Sequence, residues 1–190
     1  MTPILGIMAS QISGHLTPAT NYESIATTTL SSSALTITFS SIPQTFKHLQ
    51  MRWIGRGTLA DVSVGQKVNF NSDTGANYSG HLIRGDGTTV YADKGQSATS
   101  AAFFGRVAAA SSTAGMFGGF IMDILDYTNT NKYKTLRCLG GSDRNGSGEI
   151  RFNSNAWLNT AAITSMTFQI TDGGNYDTNT QFALYGIKAV

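Results

Sequence analysis

Apolar and polar side chains alternate along most of this chain with a period of two, the repeat of a strand that faces a core on one side and water on the other. The pattern is clearest between Ala34 and Arg56, where Leu35, Ile37 and Phe39 point one way and Thr36, Thr38 and Ser40 the other. Ser41-Ile42-Pro43 then breaks the ladder, because proline has no N–H to give and holds its φ fixed. Alternation resumes with Leu49, Met51 and Trp53 inward and His48, Gln50 and Arg52 outward. The two strands and their corner read as one piece of a sheet that a second layer must cover.

The same period recurs on both sides of this stretch. Tyr22 to Leu30 has the β-branched content of a strand, and Gln66 to Asn71 places Val68 and Phe70 inward. Tyr78 to Arg84 and Thr88 to Ala92 flank Gly85-Asp86-Gly87, a hairpin signal in which glycine supplies a positive φ. Arg84-Gly85-Asp86 spells an adhesion tripeptide, but these are also the residues that hairpin tips favour. Ser100 to Ala109 is a further strand, and Met116 to Tyr127 is apolar on both faces, as in the middle of a sandwich. Tyr133 to Leu139 and Gly148 to Phe152 pair across Asp143-Arg144-Asn145-Gly146, where Asn-Gly is a strong hairpin cue. In the second of these, Glu149, Arg151 and Asn153 alternate with Ile150 and Phe152, which assigns the charged side to solvent. Met166, Phe168 and Ile170 mark a late strand, and Gln181 to Lys188 closes the chain. About ten strands with no segment of 3.6 period predict an all-β domain, an antiparallel β-sandwich with jelly-roll-like connections. A closed barrel would show the same alternation.

Residues 22–190 carry this sandwich, and residues 1–21 read as an extended N-terminal arm and linker. Ile4, Leu5, Ile7, Met8, Ile12 and Leu16 are too apolar to be left in water, while Pro3, Gly6 and Gly14 make a poor helix. Such an arm lies along its own domain as an edge strand or docks into a neighbouring subunit as an assembly anchor, and the second reading is favoured. It lacks the basic leader of a signal peptide.

Composition removes several functions. Charged residues are only 13% of the chain and the net charge is +2, with basic residues scattered singly, which argues against a nucleic-acid binder. No apolar run approaches the roughly 20 residues that a membrane helix needs. Cys138, the single cysteine, has no histidine near it in sequence. His15, His48 and His81 share no metal-ligand spacing. Glu23 and Glu149 read as outward residues rather than as a glycosidase pair, and Asp123 as a buried structural carboxylate or part of a calcium site, the structural role being favoured. No phosphate loop is present, so the chain reads as a non-enzyme without metal or cofactor. Glycan contact is the remaining binding chemistry. The loops Asn71 to Tyr78, Tyr127 to Tyr133, Asp143 to Gly146 and Asp172 to Thr180 supply amides and carboxylates, with Tyr78, Tyr91, Trp157 and Tyr176 as exposed-ring candidates.

Several stretches taken in order, PILGIMASQISGH, YESIATTTL, SSIPQTFKHLQMRWIGR, FNSDTGANYSGHLIRGDG, DYTNTNKYKTLRC and QFALYGIKAV, resemble a family of tailed-bacteriophage virion proteins labelled minor tail, tail-fibre or structural proteins. The resemblance implies a tail component (fibre, fibre adaptor or baseplate subunit) made in the host cytoplasm and carried in the virion. It implies a homo-oligomer, with a trimer as one form, joined to other virion proteins through the arm. The alternatives are a capsid decoration or cement protein, and a module that binds host surface glycan. No catalytic residue comes with the resemblance.

Overall fold

The computed structural model describes residues 21–171 and 173–188, so the arm residues Ile4, Leu5, Ile7, Met8, Ile12 and Leu16 lie outside the described part. Twelve strands follow in order: β1 (Tyr22–Thr29), β2 (Thr36–Phe39), β3 (His48–Gly55), β4 (Ser63–Phe70), β5 (Tyr78–Gly85), β6 (Val90–Thr99), β7 (Ala102–Ala108), β8 (Gly118–Leu125), β9 (Lys134–Asp143), β10 (Gly148–Trp157), β11 (Met166–Ile170) and β12 (Gln181–Ile187). They form an eight-stranded antiparallel sheet ordered β1-β12-β3-β8-β9-β10-β5-β6 and a four-stranded one ordered β2-β11-β4-β7. With the hairpins β5–β6 and β9–β10 set aside, β1-β12-β3-β8 faces β2-β11-β4-β7. The first strand pairs with the last and the second with the penultimate, which is the wrapping of a jelly roll.

The proline corner has a different role from the one its sequence suggested. β2 belongs to the small sheet and β3 to the large one, so Ser41-Ile42-Pro43 carries the chain between layers rather than along one sheet. Ser41 takes a positive φ of 53° to make the bend, and Ile42 is buried beneath it. Leu35, expected inward, precedes β2 and is 61% exposed.

Trp53 joins the layers. Its ring stacks between Phe120 (centroids 4.9 Å apart) and Phe182 (5.4 Å) and meets the edge of Phe104 from the small sheet at 5.2 Å. Close approach of β7 to β9 depends on two missing side chains. A Cβ on Gly140 would lie 1.9 Å from Phe120 Cδ1, and one on Gly105 2.5 Å from Phe120 Cε1, so only glycine lets Phe120 sit between them.

The two hairpins set aside above pair with each other through β5 and β10. They lengthen the large sheet beyond the small one, whose edge strand β7 packs under β9 and β10. β6 then forms the free edge of the overhang. The hairpin tips follow their turn residues: Asn145 and Gly146 both take positive φ, and Asp86 Oδ1 accepts the N–H groups of Thr88 and Thr89.

Candidate functional site

The overhang reverses the expected facing of β10. Glu149, Arg151, Asn153 and Asn155 turn toward the small sheet, whereas Ile150 and Phe152 face outward. Period-two alternation identifies two faces but not which of them is covered. Here the inner face looks past the edge of β7 into a cleft instead of a packed core, so polar side chains can line it.

On the outer face, register brings apolar side chains into line. Ile121, Leu139, Phe152 and Ile83 are direct cross-strand partners along β8, β9, β10 and β5, exposed by 41%, 50%, 42% and 48%. The next row runs Ile54, Gly119, Gly141, Ile150, Gly85 and Val90, in which the three glycines floor a hollow beside Ile150. From β8 to β6 neither row holds a charged residue. β8 is therefore central in its sheet as expected, but its outer face is open to solvent rather than buried.

The inner cleft has two connected parts. One, of about 280 Å³, lies between Gly65, Gln66, Phe103 and Gly105 of the small sheet and Gly80, Asn153 and Asn155 of the large one. The other, of about 530 Å³, is lined by Arg84, Arg106, Arg144 and Arg151 together with Tyr91, Asp93 and Glu149. Leu82, Asp93, Arg106 and Arg151 line both. Four of the chain's seven arginines thus meet at one place, against two carboxylates.

Each of these arginines is fixed by a partner. Glu149 lies 3.3 Å from Arg84 Nη1 and 3.1 Å from Arg151 Nη2. The Arg84 guanidinium also covers one face of the Tyr91 ring at 4.0 Å, so the adhesion-like triplet has its arginine committed to the cleft and its aspartate to the turn. Arg106 donates from Nε to Ser63 Oγ at 3.0 Å and from Nη2 to Ser63 O at 2.7 Å. Arg144 Nη1 donates to Ser142 Oγ, and Asn155 Nδ2 to the Phe103 carbonyl, at 3.0 Å each. Gln66 accepts from Trp53 Nε1 at 3.0 Å and Tyr176 O–H at 3.3 Å through its one oxygen, which turns its amide nitrogen away from both.

Three of the four ring candidates prove to be buried. Tyr78 and Trp157 pack with Phe70, and both close the Asp73 loop: Trp157 Nε1 donates to Asp73 Oδ2 at 2.7 Å and the Tyr78 hydroxyl to Asp73 O at 3.0 Å. Burial opposes the Asp73 charge, but the bonds from Trp157, Asn77 and the Gly75 N–H outweigh it and hold its carboxyl below the usual range. Tyr176 is buried with its ring edge against Phe182. Proximity to polar loops suggested exposure for these rings, whereas their hydroxyl and indole groups serve as internal fasteners. Tyr91 alone of the four lies at the surface, on the rim of the cleft.

The sequence reading missed the arginines, Gln66 and Asn153, and it placed Glu149 outward. Their one sequence signal is the polar run at alternate positions from Glu149 to Asn155. Cys138 is buried and its thiol is pushed up by that burial, away from nucleophilic use. Asp123 accepts from Gln50 Nε2 at 2.8 Å. Among the described residues there is no group of three or more His, Cys, Asp or Glu arranged to hold a metal, and no helix long and apolar enough to cross a membrane.

No protein-family model matches the chain, and no curated protein matches it. A solved structure, the marine PL-14 alginate lyase from Aplysia kurodai, aligns over 94% of this chain and 92% of its own at 13% identity, with a TM-score of 0.35. A likeness at that level carries no weight for function.

Proposed function

We propose that the chain is a non-enzymatic structural component of a bacteriophage virion, placed in the tail, that assembles through its outer apolar face and its N-terminal arm. The observation that carries this reading is the face itself: Ile54, Ile83, Val90, Ile121, Leu139, Ile150 and Phe152 form one uncharged surface on paired strands. A patch of this continuity marks an interaction surface.

Covering a half-exposed aliphatic or aromatic side chain gains roughly 1 kcal/mol, so these side chains together supply roughly 7 kcal/mol. Association itself costs about 4–15 kcal/mol. The face is therefore marginal alone, and the apolar residues of the arm of a neighbouring copy supply the balance. Residues 1–21 contain no Asp, Glu, Lys or Arg, which matches the uncharged rows they would meet.

The test is a Leu139→Lys, Phe152→Lys double variant. Both positions are outward and bear on no core contact, so the thermal midpoint should stay within a few degrees. Light scattering is expected to show the full chain as a multimer and the variant as a monomer, with the variant absent from purified particles. Unchanged mass and unchanged incorporation would overturn the assembly reading. Gold label along the shell instead of the tail would move the protein to a decoration or cement role.

A further inference from the structure

The inner cleft and the assembly face lie on opposite sides of the large sheet, so what the cleft does is a separate question. Buried polar atoms without a partner gather in it. Gln66 Nε2, Arg144 Nε and Arg151 Nε are donors that meet no acceptor; Asn153 Oδ1 is an acceptor that meets no donor, and Glu149 Oε1 accepts no hydrogen bond, its one neighbour being the Arg151 guanidinium 3.1 Å away. Gln66 and Asn153 are only 1% and 4% exposed. Leaving such groups unpaired is costly, and a bound partner would recover that cost.

The composition of this set describes the missing partner. Unmatched donors outnumber unmatched acceptors, and they stand among four guanidiniums whose forked N–H groups fit a planar anion. The partner must therefore be acceptor-rich and anionic. Asn153 Oδ1 adds a second requirement, an O–H or N–H donor beside the anion. Inorganic sulfate offers only acceptors and leaves Asn153 unmet. A sugar bearing a carboxylate satisfies both demands, with the carboxylate on the arginines and ring hydroxyls on Asn153 and Gln66. The larger part of the cleft, at about 530 Å³, falls within the range of about 300–1,000 Å³ usual for ligand pockets.

We infer that the cleft between β7 and the overhanging hairpins is a binding site for a uronic-acid-containing glycan. Glu149 acts as a positioning residue, holding Arg84 and Arg151 apart and aimed at the carboxylate. Tyr91 keeps the Arg84 plane in place from the rim.

Calorimetric titration of the full chain with trigalacturonate tests this, beside the fully methyl-esterified trisaccharide, which keeps the rings and hydroxyls but loses the charge. The acid is expected to bind at least ten-fold more tightly than the ester, and more weakly as salt rises. Asn153→Asp, nearly the same shape, should reduce affinity at least ten-fold by placing a negative charge beside the bound carboxylate. Arg144→Gln, in the turn between β9 and β10, should reduce it several-fold while the fold is kept, and keeps the test available if the Asn153→Asp variant is unstable. Equal binding of acid and ester, sulfate binding as tightly as the trisaccharide, or no binding of the acid at millimolar concentration would each overturn the inference. None of these results would alter the mass of the assembly, so the two readings fail separately.

Discussion

Trp53→Ala is expected to lower the unfolding free energy by about 4 kcal/mol, measured by guanidinium denaturation. Among the described residues Trp53 is the one side chain stacked on two neighbours of its own sheet, Phe120 and Phe182, and it also meets Phe104 of the other edge to face. Alanine would leave a cavity between the layers that Gly105 and Gly140 cannot fill, since neither carries a side chain to collapse into it. The Gln66 oxygen would also lose its 3.0 Å donor and keep only the Tyr176 hydroxyl. Trp53→Phe separates the two contributions, because it restores much of the packing but not the N–H; a loss of about 1–2 kcal/mol is expected for it. A cost below about 1 kcal/mol for the alanine variant would mean that the layers are not joined here.

The second large effect is expected at Lys134, which is fully buried at the start of β9. Its ammonium donates to the carbonyls of Asn129 at 2.6 Å, Thr160 at 2.9 Å and Lys132 at 3.1 Å. It ties the β8–β9 loop to the segment that follows β10. Burial pulls its pKa below the ordinary lysine value, yet three good acceptors keep the cation in place. Lys134→Met retains the apolar stem and leaves three carbonyls without a donor, for an expected loss of about 3 kcal/mol. Lys134→Arg should also be costly, because a planar fork cannot present three converging bonds within the same space. If Lys134→Met is neutral by the same denaturation measurement, water must replace the ammonium and the loop is held by other contacts.

What the chain discloses from its residues alone divides along a physical line. Period-two patterning located the strands, and Asn145-Gly146 located a hairpin, because both signals are local and sterically dictated. The jelly-roll layering was legible in outline. The side of a strand that is covered was not legible, because it depends on partners far away in sequence. β10 shows this most plainly: Glu149, Arg151 and Asn153 looked like a solvent face and prove to line an internal cleft, because the small sheet stops short at β7. The proline corner misled for the same reason, since a broken ladder looks alike whether the chain stays in one sheet or crosses to another. Tyr78, Trp157 and Tyr176 were drawn to the surface by polar neighbours, and only the Asp73 and Gln66 contacts show why aromatic groups with a polar tip sit inside.

The cleft owes its existence to the two inserted hairpins. A bare eight-stranded jelly roll would have met β7 with β8 and left no overhang, hence no place for arginines to converge. The same insertion creates most of the exposed rows of the outer face, since Leu139, Ile150, Phe152 and Ile83 all lie on strands the hairpins contribute. Binding and assembly surfaces are thus two sides of one structural addition.

The most direct measurement is the light-scattering mass of residues 22–190 beside that of the full chain, with circular dichroism on both. The shortened chain is predicted to keep its β spectrum and cooperative melt while running as a monomer, and the full chain to run as a multimer. A shortened chain that is unfolded, or a full chain that is itself a monomer, would contradict the claim that the sandwich is an independent body fastened to its neighbours by its leading arm.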